Sequence, residues 1–181
     1  IAFFQQLEVL DLSGNAFTGV IPDLMWELRS LRALVLADNF FSGQIARSIG
    51  NLEQLEILDT ASNSFRGRIP ESISSLTNLE VLDLSFNFLG GPIPTNIGDL
   101  SDLRELRLGT NFDESNESFG LDGKIPASIG NMQKLVKLEL NRNRISGFLP
   151  SQHKQLKSIK VYDVSENEKL GGTIPKDFSD M

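Results

Sequence analysis

Very few side chains in this sequence have the types and spacing that catalysis or metal binding requires. The 181 residues include one histidine and no cysteine, which excludes a thiolate nucleophile, a disulfide framework and a cysteine metal site. His153 lies in a polar segment, SQHKQLKS, and the sequence supplies no partner to orient it for acid–base catalysis. We therefore interpret His153 as a tolerated, partly exposed substitution, and expect no enzyme activity, no metal and no cofactor.

Two further features could carry chemistry. Asp59 and Asp83 are 24 residues apart in similar surroundings, ILDTAS and VLDLSF. Two stacked carboxylates could contact calcium, but calcium takes about six to eight oxygen ligands, so a screened like-charge pair is the preferred interpretation. The only N-glycosylation sequon begins at Asn116, in an acidic, serine-rich stretch where an exposed acceptor is expected.

These surroundings match because the chain repeats. The stretch Leu79 to Leu100 reads L-x-x-L-x-L-x-x-N-x-L-x-G-x-I-P-x-x-I-G-x-L. Its seven copies start at Leu7, Leu31, Leu55, Leu79, Leu103, Leu135 and Ile159. A period of about 20–29 residues with this leucine and asparagine spacing indicates a leucine-rich repeat solenoid. With its G-x-I-P step after the asparagine, the chain resembles the plant-type leucine-rich repeats, as in receptor-like ectodomains and polygalacturonase-inhibitor-like proteins.

The expected fold is an α/β solenoid, a right-handed leucine-rich repeat superhelix with a parallel sheet on its concave face and a short 3-10 or irregular convex side. Alternating leucines predict one half-buried strand per repeat. The resemblance implies a second short strand at the G-x-I-P step. A structural asparagine ladder should bond to the backbone where each strand turns; it comprises Asn15, Asn39, Asn63, Asn87, Asn111, Asn143 and Asn167.

We expect residues 1–181 to form a single solenoid and to be a fragment of a longer chain, because neither end resembles the cysteine-bearing caps of the plant-type family. The period is broken by an eight-residue insertion within residues 112–120, FDESNESFG, since the step from Leu103 to Leu135 is 32 rather than 24. Insertions in solenoids form surface loops, often on the binding side.

The concave face is the default binding surface of a solenoid. Outward positions on its strands are acidic in the first four repeats and then mixed. Aspartate here is also the common residue of the family's L-D-L-S strand, so departures from it are more informative. The candidate partner-binding residues are Val35, Asp38, Asp59, Asp83, Phe86, Arg107, Glu139, Arg142 and Asp163. They favour a partner with basic and apolar features.

A second candidate surface is a phenylalanine-rich edge beside the insertion. Phe40, Phe88, Phe112 and Phe119 are predicted to line it, and contiguous exposed aromatic residues are typical of protein–protein contacts. The alternative is that the inserted loop folds back and these rings pack among themselves.

The net charge of −7 argues against a nucleic-acid partner, and no stretch is apolar enough to span a membrane. The sequence thus predicts a non-catalytic protein- or peptide-recognition module, part of a receptor-like or secreted protein at the cell surface. The alternative is a structural or assembly subunit of a larger complex, in an organelle or another compartment, docked through the phenylalanine edge and the insertion.

Overall fold

The computed structural model describes residues 4–111 and 119–176. Its main element is a seven-stranded parallel sheet with one strand from each repeat, which we call the concave sheet. Every strand is three residues long; the strands are Val9–Asp11, Ala33–Val35, Ile57–Asp59, Val81–Asp83, Glu105–Arg107, Lys137–Glu139 and Val161–Asp163. The fold class expected from the repeats is confirmed.

Neighbouring strands of the concave sheet pair at equivalent positions of successive repeats. Leu58 pairs with Leu34 on one side and with Leu82 on the other, and all three are buried. Because successive residues of a strand point to opposite faces, the residues on either side of each central leucine point away from the core. The alignment of repeats therefore becomes a set of columns running along the sheet.

The second strand that the resemblance implied is also present. These strands form a five-stranded sheet, Thr18–Val20, Phe40–Gly43, Ser64–Gly67, Phe88–Pro92 and Gly120–Asp122, and a two-stranded sheet, Ser146–Gly147 and Lys169–Leu170. The convex side carries short 3-10 helices: Asp23–Glu27, Arg47–Asn51, Glu71–Ser75, Ile97–Asp99, Ala127–Asn131 and Ser151–Gln155. None of these, nor any other helix among the described residues, is long and apolar enough to cross a membrane.

The asparagine ladder bonds adjacent repeats together. The Asn87 side-chain amide donates to the carbonyl oxygens of Thr60, Leu84 and Ser85, at 2.9, 3.4 and 3.0 Å, and its Oδ1 accepts the Phe65 backbone N–H at 2.9 Å. Thr60 and Phe65 belong to the preceding repeat. Since buried backbone groups need partners, each ladder asparagine from Asn39 onward satisfies its own turn and that of its neighbour.

The first repeat departs from the columns because the structure describes no coil packed against its outer side. Phe17 occupies an expected core column but is 45% exposed, and it stacks on Phe41 with ring centroids 5.9 Å apart. Asn15, which accepts no backbone N–H from another repeat in the described residues, is exposed as well. Core packing is therefore complete only in the interior repeats.

Candidate functional site

The open face of the concave sheet consists of two parallel columns of side chains. One, the aspartate column, was identified from the sequence: Asp11, Val35, Asp59, Asp83, Arg107, Glu139 and Asp163. The other, the valine column, was missed: Val9, Ala33, Ile57, Val81, Glu105, Lys137 and Val161. Strict alternation along each strand could have found it. Val9 and Ile57 are 59% and 38% exposed, and Ala33 and Val81 are half-buried, so an apolar stripe runs beside the acidic one in the first four repeats.

The fifth and sixth repeats interrupt both columns with an ion-pair network centred on Arg107. Its guanidinium contacts Asp83 Oδ2 at 3.2 Å, Glu139 Oε2 at 3.6 Å and the Glu105 carboxylate. Lys137 adds a 3.0 Å contact to Glu139. Burial by itself would lower the pKa of Arg107, but the hydrogen bond to Asp83 and the charges of Glu105, Asp83 and Glu139 raise it above its usual value. Arg107 therefore stays charged, and its charge is balanced by carboxylates of the protein itself.

This network makes the two members of the expected like-charge pair, Asp59 and Asp83, unequal. The two residues are in register, as expected, but Asp83 is only 6% exposed. Its Oδ1 accepts the Ser85 backbone N–H and hydroxyl at 3.0 and 2.5 Å, and its Oδ2 faces Arg107. Asp59 has neither a serine nor an arginine partner. Of the two carboxylates, only that of Asp59 is open to a ligand.

Phe86 comes three residues after the concave strand Val81–Asp83 and has 57% of its surface accessible. It lies where each strand turns into the asparagine ladder, and its φ is +53°. The left-handed conformation costs an L-residue about 1–2 kcal/mol, and only glycine, asparagine and aspartate adopt it readily. Every repeat is left-handed at this position, which is occupied by Gly14, Asp38, Ser62, Phe86, Thr110, Arg142 and Glu166. Asp38 and Arg142 are exposed as well, and Arg142 is paired to Glu166 at 3.2 Å.

The predicted phenylalanine edge is only partly an open surface. Phe40 is 62% exposed, but Phe88 is half-buried and packs on Phe119 with ring centroids 5.1 Å apart. The Arg66 guanidinium lies over both rings, at 5.7 and 5.4 Å from their centroids. Phe88 and Phe119 thus pack against each other, as in the alternative given for the edge. Phe112 and Asn116 lie outside the described residues.

His153 is wholly buried, which corrects the expectation that it is partly exposed. Tyr162, in a leucine position of the next repeat, provides the reason: its hydroxyl lies 2.5 Å from His153 Nδ1. Burial lowers the pKa of His153 to about 4, so the ring is neutral at physiological pH. His153 Nε2 has no hydrogen-bond partner in the described part of the chain. The contact joins the convex 3-10 helix of the sixth repeat to the concave strand of the seventh.

Acidification should therefore destabilise the sixth and seventh repeats through His153. Its pKa is lowered from 6.5 to about 4 in the folded state. Between these two pH values the unfolded state is protonated at His153 and the folded state is not. Stability is retained above pH 6.5 and lost as the pH falls toward 4, by about 3 kcal/mol in total. Urea unfolding of wild type and His153→Ile at pH 7, 5.5 and 4 checks this. The free energy of unfolding of the variant should rise relative to that of wild type as the pH falls. A difference between the two that does not change with pH would contradict the assignment.

The comparison with protein-family models agrees with this geometry. A model described as "Leucine-rich repeat region" matches residues 1–121, and one described as "Leucine Rich Repeat" matches residues 134–156. The chain belongs to the leucine-rich repeat family. No curated protein sequence matches this leucine-rich repeat chain closely enough to count as a relative.

Solved structures similar to this leucine-rich repeat chain include plant receptors. A TDR receptor superimposes with a TM-score of 0.89 at 32% identity, over 97% of this chain and 29% of that one. The Arabidopsis receptor kinase HAESA, in complex with the peptide hormone IDA and the co-receptor SERK1, gives a TM-score of 0.88 at 29% identity, over 99% of this chain and 29% of that one. The Arabidopsis BIR3–SERK2 complex gives a TM-score of 0.61 at 35% identity, over 72% of this chain and 64% of that one. The chain thus spans about three tenths of the length of the first two, and its repeats are of the plant type.

Proposed function

We propose that this chain is a non-catalytic recognition module that binds a peptide or protein segment on the open face of the concave sheet, as part of an extracellular receptor-type protein. The observation that carries the proposal is Phe86. It is 57% exposed at the end of a strand, in a backbone conformation that disfavours phenylalanine. All seven repeats adopt this conformation here, so what needs explaining is the choice of a large, exposed apolar side chain at a position that favours glycine, asparagine or aspartate. Contact with a partner would account for that choice.

The surroundings of Phe86 support the same function. The apolar valine column and the acidic aspartate column provide both contact area and polar selectivity, which are the usual components of an interface. The similar HAESA structure contains a peptide hormone and a co-receptor, and the BIR3–SERK2 structure is itself a complex of two proteins. The net charge of the whole chain, −7, does not favour binding to nucleic acid.

A second function, assembly into a larger complex through the phenylalanine edge, is favoured by one observation. Phe40 is 62% exposed on the second sheet, away from the aspartate and valine columns. Phe119, which comes near the end of the insertion in the sequence, packs on Phe88 of the same sheet. In this alternative the protein is a structural subunit in an organelle or another compartment, and the concave face is not its docking surface.

Substitution of Phe86 distinguishes recognition from a structural role. We expect Phe86→Asn to raise the free energy of unfolding by about 1 kcal/mol, because asparagine adopts the left-handed conformation more readily. The same variant should capture at least about tenfold less partner from an extracellular or membrane extract, the loss expected when an aromatic interface anchor is removed. Urea unfolding and quantitative pull-down with the full chain measure the two effects.

The matched control is Phe40→Ser, which removes an equally exposed ring from the phenylalanine edge. If Phe40→Ser loses the captured protein and Phe86→Asn retains it, the assembly role replaces recognition at the concave sheet. If neither substitution changes what is captured, both surfaces are refuted as docking sites. Loss of stability in Phe86→Asn would contradict the conformational argument.

A further inference from the structure

The aspartates of the aspartate column have different hydrogen-bond partners. Asp11, Asp83 and Asp163 each accept the hydroxyl of the serine two residues later, at 2.6, 2.5 and 2.6 Å, as well as its backbone N–H. These are the aspartates of the D-L-S and D-V-S strands. The third repeat instead reads D-T-A, and Ala61 has no hydroxyl. Asp59 is therefore the aspartate of this column that lacks an internal hydroxyl partner.

The Asp59 carboxylate has one hydrogen bond and no ion pair. Its Oδ1 accepts the Ala61 backbone N–H at 3.0 Å, and no cation of the described residues lies within salt-bridge distance. The nearest candidate, Arg107, is already held by Asp83, Glu105 and Glu139. Burial raises the pKa of Asp59 most strongly; the Ala61 N–H and the more distant charge of Arg107 lower it, the charges of Asp83 and Asp38 raise it, and the net shift is upward. By contrast, the bonds from Ser13 lower the pKa of Asp11.

A half-buried anion in this condition is stabilised by any cation brought to it, because an opposite charge within about 4–6 Å favours the ionised form. The side chains around Asp59 restrict which cation fits. Val35 is its in-register neighbour on one side, and Ile57 lies on the same strand, 38% exposed. Val81, in register with Ile57, extends the apolar surface. A cation on a long aliphatic stem would pack its methylenes on these residues and extend its charge to the carboxylate.

We propose that Asp59 is the floor of a subsite for a lysine or arginine side chain of an extended peptide segment bound on the concave sheet. The inference rests on the proposed function and adds the chemistry of the ligand to it. Charge complementarity selects this occupant: the open charges of the first three repeats on this face, Asp11, Asp38 and Asp59, are all negative. An acidic ligand finds no free cation at the centre of the face, because Arg107 is occupied by carboxylates.

The test selects peptides from a random 12-residue display library on the immobilised full chain and measures the affinity of the enriched peptides, made synthetically, at low and high salt. Variants Asp59→Asn and Asp23→Asn are compared with wild type. Asp59→Asn retains the oxygen that accepts the Ala61 N–H and removes only the charge. Asp23→Asn makes the same change at an exposed residue of the convex 3-10 helix Asp23–Glu27, away from the concave sheet.

The enriched peptides should carry lysine or arginine beside apolar residues. Asp59→Asn should weaken their binding at least about tenfold and reduce its salt dependence, as expected for a lost charge-assisted hydrogen bond. Asp23→Asn should leave the affinity within about twofold, since Asp23 lies on the convex side, away from the concave sheet. Asp59→Asn should fold as wild type does. Because the pKa of Asp59 is raised in the folded state, its charged form is destabilising at neutral pH. The neutral variant should therefore unfold at a slightly higher urea concentration.

Two results would overturn the inference and they are distinguishable. Enriched peptides that are neutral or acidic, or that bind equally to wild type and Asp59→Asn, would refute the cation subsite while leaving peptide recognition intact. A library from which no peptide is enriched would refute short-peptide recognition itself, and the subsite with it. As a positive control for the contact, Asp59→Lys should bind a peptide in which the critical basic residue is replaced with aspartate.

Discussion

Asn87→Ala should lower the free energy of unfolding by about 3 kcal/mol or more, which is one of the two largest effects expected for this protein. The substitution removes three bonds to carbonyl oxygens and leaves the buried Phe65 backbone N–H without its acceptor. Each buried polar group left unpaired costs about 1–3 kcal/mol. Because Phe65 and Thr60 belong to the third repeat and Asn87 to the fourth, the loss separates two coils as well as opening one turn.

The matched control for this prediction is Asn15→Ala. Asn15 occupies the same column but is exposed, and it donates only to the carbonyl oxygens of Leu12 and Ser13 in its own repeat. Its loss should cost less than about 1 kcal/mol. Urea unfolding followed by circular dichroism compares the two variants, and hydrogen exchange of the Phe65 amide should accelerate only in Asn87→Ala. Equal destabilisation by both substitutions would show that the ladder does not couple repeats.

Gly98→Ala is the second substitution with a large expected effect. Gly98 lies in the 3-10 helix Ile97–Asp99, and a Cβ built there would be 2.0 Å from the Ser128 carbonyl oxygen in the next repeat. Two consecutive convex helices would have to separate, because the clashing atom belongs to the backbone. Inserting a carbon into a packed contact typically costs about 1–3 kcal/mol, and occasionally more. The urea midpoint of the variant measures the loss.

Gly50→Ala provides the control, since Gly50 occupies the same column two repeats earlier. There the new Cβ would approach the Ser72 carbonyl oxygen to 3.0 Å, a contact that a small adjustment relieves. Repeat three carries Ser74 in this column, so a Cβ at this position is compatible with the fold in that part of the chain. We expect Gly50→Ala to change stability little. If Gly50→Ala and Gly98→Ala are equally mild, the convex helices are less tightly packed than their geometry implies.

Most of the fold followed from the sequence because a repeat constrains every copy of a position to the same environment. Leu58 and Leu82 had to be buried together, and Asn63 and Asn87 had to meet the same turn, once the 24-residue period was recognised. The second strand came from the resemblance to the plant-type family. The valine column could have been predicted by the same alternation that identified the aspartate column, since both follow from the two-residue period of a strand.

Only the tertiary structure decided which members of a column remain available. Asp59 and Asp83 have equivalent positions in the sequence, yet Arg107 reaches back across one repeat to hold Asp83, while Ala61 leaves Asp59 open. His153 is buried because Tyr162 in the next repeat offers it a hydroxyl, and Phe88 is covered because Phe119 and Arg66 meet over it. Long side chains contact neighbours one repeat away, and which contact forms depends on the particular residues there. The period of the sequence therefore determined the faces of this protein, and contacts between its repeats determined which groups on those faces remain available to a ligand.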